Sequence, residues 1–157
     1  MSKDIRSYDY VNHPYAQVRD VLKADAPAVF RAATKAATSR AESVAAELRL
    51  DLGGIAIGTD IVIAVTGVEE KTEGPSTTLR LEWEAAKLPR LFPLMKAELN
   101  IYPLTRTETQ LDFSGTYDPP MGTLGELLDV VAGHRIADVA VHRFVSEVAE
   151  HLRRTLG

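Results

Sequence analysis

The chain has 157 residues, a formal net charge of −4 and no cysteine. Its length suits one domain over residues 1–157, and 45% apolar with 25% charged residues is the composition of an ordinary globular core. Net acidity offers nothing global to nucleic acid or an anionic membrane, and the absence of cysteine excludes disulfides, thiolate catalysis and sulfur-ligated zinc.

In chain order, Ile5 to Asn12 mixes aromatic and polar residues and stops at His13-Pro14, which predicts a strand. Pro14 suits the first turn of a short helix, Tyr15 to Ala24, with Val18, Val21 and Leu22 on one face. Asp25 can cap a second helix with Pro27 in its first turn and Val29, Phe30, Ala33 and Ala37 on its buried side. The end of this helix is open anywhere between Thr38 and Ala46. Ala46, Leu48, Leu50 and Leu52 then alternate with charged residues, a strand with one wet face. Thr59 to Val68 is β-branched and apolar on both faces, which predicts a more covered strand.

A turn around Gly74-Pro75 follows. Three alternating strands come next: one with Leu79, Leu81 and Trp83 on its apolar face, one with Met95, Ala97, Leu99 and Ile101, and one with Leu111, Phe113, Gly115 and Tyr117. Short links between them imply an antiparallel meander. After Asp118-Pro119-Pro120, a helix without another proline runs from Gly122-Thr123 to Thr155, about 50 Å at the helical rise. A domain of this size is roughly 40 Å across, so the helix spans the whole body or bends, with Gly133 the natural place for a bend. It is the one element long enough to cover the sheet, and the sheet must curl around it.

This order of elements resembles the START-like, or SRPBCC, superfamily. The local carriers are Tyr117-Asp118-Pro119-Pro120, Gly122-Thr123-Leu124-Gly125 and the helix beginning with Leu127, Leu128 and Asp129, together with the strand leading to Pro14 and the Val18–Leu22 helix. The resemblance implies an α+β helix-grip fold: a curved, six- to seven-stranded antiparallel sheet wrapped around a long C-terminal helix, with two short helices after the first strand. The superfamily includes lipid carriers, hormone receptors, polyketide cyclases and aromatases, and chaperone activators. Its shared feature is an apolar cavity between sheet and last helix, which narrows function only weakly.

On the last helix, Leu127, Val131, His134, Asp138, Val141, Val145, Val148 and Leu152 form one stripe at helical spacing. His134 and Asp138 are its polar members. Four residues apart, they can touch each other, bind a polar group of a ligand, or act as an acid–base pair with Tyr117 assisting. They can equally well be solvated, or satisfy each other in the core. His142 extends the series, but no further metal ligand is evident, so no metal and no cofactor are expected.

Trp83, Leu81, Leu99, Ile101, Leu111, Phe113 and Tyr117 share the inward face, either as core or as the lining of a ligand cavity with Leu127, Val131, His134, Asp138 and Val141. The apolar segment Lys87 to Met95 is either the cover of the core's end or the lip of an entrance. No nucleophile elbow, phosphate loop or dinucleotide fingerprint is present.

The leading expectation is a non-enzymatic binder of a small hydrophobic, lipid-like or polyketide-like molecule. It rests on a helix stripe rich in small side chains leaving a hollow under the sheet. The alternatives are a polyketide cyclase/dehydratase-type enzyme and a module that binds another protein. A polar opening segment, Met1 to Arg6, and the lack of about 20 consecutive uncharged residues lead to the expectation of a cytoplasmic protein with no membrane insertion.

Overall fold

A computed structural model describes residues 3–47, 61–85, 95–118 and 130–157. The elements are β1 (Lys3–Val11), α1 (Tyr15–Glu47), β2 (Ile61–Lys71), β3 (Ser76–Ala85), β4 (Met95–Pro103), β5 (Thr109–Tyr117) and α2 (Val130–Leu156). The chain is α+β, with a five-stranded sheet in the order β1-β5-β4-β3-β2 among the described residues. All neighbouring strands are antiparallel. The meander from β2 to β5 follows from the short links. β1 then closes on β5, with Lys3 opposite Tyr117 and Val11 opposite Thr109.

Strand alternation places the inward faces as expected. Ile5, Ser7 and Val11 of β1, Leu79, Leu81 and Trp83 of β3, all four apolar residues of β4, and Leu111, Phe113 and Tyr117 of β5 are buried. Gly74, at φ 61°, takes the left-handed position of the β2–β3 turn that a side chain would disfavour.

Three expectations are corrected. The two short helices after β1 are one continuous helix of 33 residues that runs through Pro27. A proline inside a helix removes a donor and crowds the preceding turn. However, Val18 and Leu22 before it and Val29, Ala33 and Ala37 after it are in phase, and all are buried. A single helix therefore sinks both groups into one seam, which offsets the local cost. Second, Ala46 belongs to this helix; the remainder of the expected strand, Leu48 to Leu52, lies outside the described residues.

Third, β2 is not a covered strand: Val65 and Val68 are 43% and 57% exposed. It is the edge of the described sheet, and the helices pack mainly on each other and on β1. The lip segment Lys87 to Leu94 and the turn at Pro119-Pro120 also lie outside the described residues.

α2 passes through Gly133 as one helix. Its buried face is wider than a single stripe. Ala140, Val141, Phe144, Val145, Val148, Ala149 and Leu152 are all at most 3% exposed. Tyr15, at the start of α1, bonds Thr77 Oγ1 at 2.6 Å, and Arg153, at the end of α2, bonds the Tyr10 carbonyl at 2.6 Å. Both contacts lie at the same end of the sheet, so the helices run antiparallel. Phe30 stacks on Phe144 where they meet, ring centroids 5.8 Å apart.

Candidate functional site

Tyr117 is the last residue of β5 and, by the period of two, faces inward with Phe113. Its Oη lies 2.8 Å from Nδ1 of His134 on the first turns of α2, and the two rings are nearly parallel, 17° apart. The hydroxyl donates to a bare Nδ1 or accepts from a protonated one. Burial raises the Tyr117 pKa above the ordinary 10.0, and the negative charge of Asp138 raises it further. The phenol is therefore neutral at physiological pH and keeps a proton to donate. Among the described residues, Nε2 of His134 has no protein partner.

Asp138 lies one turn beyond His134, yet its carboxylate is directed to the other histidine, with Oδ1 3.5 Å from Nε2 of His142. His142 Nδ1 in turn meets Ser7 Oγ of β1 at 2.7 Å. Ser7 is only 3% exposed. Serine, histidine and aspartate thus form a chain, but a hydroxyl enclosed this completely beneath α2 cannot reach a substrate carbonyl. The chain links β1 to α2 on the side of the helix that carries Asp138. Ser7 was legible in principle, because the alternation Ile5, Ser7, Val11 sends it inward.

The remaining expected site residues fall into three groups. Leu81, Leu99, Ile101, Leu111, Phe113 and Val141 are at most 1% exposed and pack against one another in the core. Trp83 packs edge-on against Phe113 and Phe144, with centroids 6.2 and 5.5 Å away. Ring contacts therefore occupy the middle of the space in which a hollow was expected. Phe144, which the single-file stripe passed over, is their hub. Leu127 lies outside the described residues, as does the side chain of Val131.

At the Tyr117 end, Met95 closes over Gly115. A Cβ on Gly115 would stand 2.8 Å from the Met95 sulfur, so the glycine is what admits the thioether. Met95, Trp83 and Tyr117 thus give this end an apolar wall with one hydroxyl. Among the described residues, no three histidine or acidic side chains converge as metal ligands, and no helix is long and apolar enough to cross a membrane.

No protein-family model and no curated protein sequence matches the chain. Solved structures do match over nearly its whole length. A conserved protein from Geobacillus kaustophilus has a TM-score of 0.55 at 13% identity, covering 98% of this chain and 97% of its own. The Zhui aromatase/cyclase from Streptomyces sp. R1128 has 0.50 at 12% identity, covering 100% and 97%. A hypothetical protein from Helicobacter pylori has 0.50 at 7% identity, covering 96% and 88%. The chain has the α+β helix-grip fold, as its element order implied.

Proposed function

We propose that the chain binds a small, largely apolar molecule bearing a carbonyl or hydroxyl group, with that group anchored at Tyr117 and His134. The observation that carries this reading is the Tyr117–His134 bond at the rim of an otherwise apolar face. A neutral phenol and an imidazole nitrogen with no partner among the described residues offer a donor and an acceptor side by side. Next to them, the buried side chains of Met95 and Trp83 make the surroundings apolar. Ring contacts fill the middle of the core, so the ligand sits towards the Tyr117 end rather than along the whole length of α2. The aromatase/cyclase among the neighbours makes polyphenols and polyketide-like aromatics the first compounds to screen, with fatty acids second.

The test combines thermal unfolding with fluorescence of Trp83, the chain's one tryptophan. A ligand specific to the folded state raises the melting temperature by mass action. Tyr117→Phe and His134→Gln should each weaken it by roughly tenfold, the equivalent of one good hydrogen bond. The reading fails if no compound in either class shifts the transition, or if both variants bind as tightly as the parent.

A second reading has its own observation. A tyrosine held neutral next to an imidazole and a carboxylate is a proton donor poised for dehydration or cyclisation of a β-ketone. Turnover of a poly-β-ketone that disappears in both Tyr117→Phe and His134→Ala would establish it. Turnover that survives either change would end it. The interaction-module alternative gains less support, because the exposed large apolar residues are split among β1 (Tyr8, Tyr10), β2 (Val65, Val68) and the β4–β5 turn (Leu104).

A further inference from the structure

We propose a second, separate ligand site: the groove along the outer side of the α1–α2 seam binds a small organic dianion, a phosphate or dicarboxylate on a flat apolar body. The groove is shallow and open to solvent, offers about 570 Å³ and is lined by Ala32, Lys35, Ala36, Ser39 and Arg40 of α1 with Arg143 and Glu147 of α2. That volume is in the range of small-molecule sites. Its lining shares no residue with the Tyr117–His134 pair.

The chemistry of the lining selects the ligand. Ala32 and Ala36, half-buried, give a smooth apolar floor from which no side chain projects. Lys35 and Arg40 are exposed and have no carboxylate partner among the described residues. Arg143 is 49% exposed and leans 3.6 Å from Glu147. The single carboxylate among the described lining residues, Glu147, is 16% exposed and is also paired with Arg154 at 3.1 Å.

Between Ala28 and Arg40 the helix carries Arg31, Lys35 and Arg40 and no acid, in a chain whose net charge is −4. Of these, Lys35 and Arg40 line the groove, where Arg143 of α2 joins them. Three cations from two helices around an apolar floor fit an anionic group at the rim and a ring on the alanines.

The experiment is titration at low salt with naphthyl phosphate, phthalate, inorganic pyrophosphate and naphthol. Naphthyl phosphate, phthalate or both should bind more tightly than pyrophosphate, naphthol should not bind, and affinity should fall as salt rises. The two anions distinguish a phosphate preference from a carboxylate one. The triple change Lys35→Gln, Arg40→Gln, Arg143→Gln should weaken binding by roughly tenfold or more. Ala36→Trp, which fills the floor without altering charge, should do the same. Arg6→Gln and Arg19→Gln, cations on other surfaces, should have no effect, and neither should Tyr117→Phe, which keeps this test independent of the apolar site. The inference is overturned if no anion binds at low salt, if the control arginines matter as much as the groove cations, or if Ala36→Trp leaves affinity intact.

Discussion

The inner face of the sheet has two regions built on different physics. Around Phe144, four rings from α1, β3, β5 and α2 meet within 5.5–6.2 Å with no polar atom required. Around Tyr117 and Ser7, each side chain exists to bond the next: hydroxyl to imidazole, carboxylate to imidazole, imidazole to hydroxyl. The first region gains stability from removing apolar surface from water and from dispersion. The second places polar groups at the edge of the core, where the buried ones, such as Ser7, offset the cost of desolvation by pairing. No buried side-chain polar atom among the described residues lacks a partner. The ring cluster therefore holds the fold, and the polar end is where the sequence tolerates chemistry.

The sharpest way to break this contrast is Phe144→Ala. It should cost about 3–5 kcal/mol in chemical denaturation, as large core truncations do. A loss under about 1 kcal/mol would show that the rings are not the mechanical centre. Gly115→Ala tests the boundary between the regions. It drives a methyl group into Met95 and should cost about 1–3 kcal/mol, part of it recovered in the double variant with Met95→Ala.

Tyr117→Phe should cost about 1 kcal/mol near neutrality and should also change the alkaline limb of stability. The folded-state pKa of Tyr117 lies above the ordinary 10.0, so on raising the pH the unfolded chain gives up this proton first. The contribution is fully present below pH 10 and declines as pH rises through the folded-state pKa. Denaturation curves above pH 9 should therefore fall less steeply in Tyr117→Phe than in the parent.

Ser7→Ala removes the hydroxyl that bonds His142. Because His142 is half-exposed and water can replace the hydroxyl, the cost should be only about 0.5–1 kcal/mol, with a larger fractional effect on ligand affinity than on unfolding. Arg6→Gln, which breaks a pair with Asp112 whose arginine is 70% exposed, should change stability by less than about 0.5 kcal/mol.

Much of this was legible in the residues. Period-two alternation fixed which faces of β3, β4 and β5 turn inward, because every second side chain there is apolar and its neighbours are charged. Tyr117 and His134 were both singled out, but their direct bond was not legible, since it depends on how far α2 slides along β5. Asp138 stands one turn from each of two histidines, and helical spacing alone is indifferent between them. Phe144 was missed because a stripe one residue wide was traced where the helix buries two adjacent residues per turn. The continuity of α1 was missed because Pro27 was given its local meaning, while the in-phase apolar residues on either side carried the tertiary one.

The closure of β1 on β5 also determines when the molecule can form. Arg6 and Asp112, which pair diagonally across that ladder, are 106 residues apart in the chain. At a synthesis rate of roughly 5–20 residues per second, the first strand waits on the order of ten seconds for its neighbour to be made. Contacts this remote in sequence make for slow assembly. Throughout that delay β1 is without its β5 ladder, so its backbone donors and acceptors are answered by water until the last strand arrives.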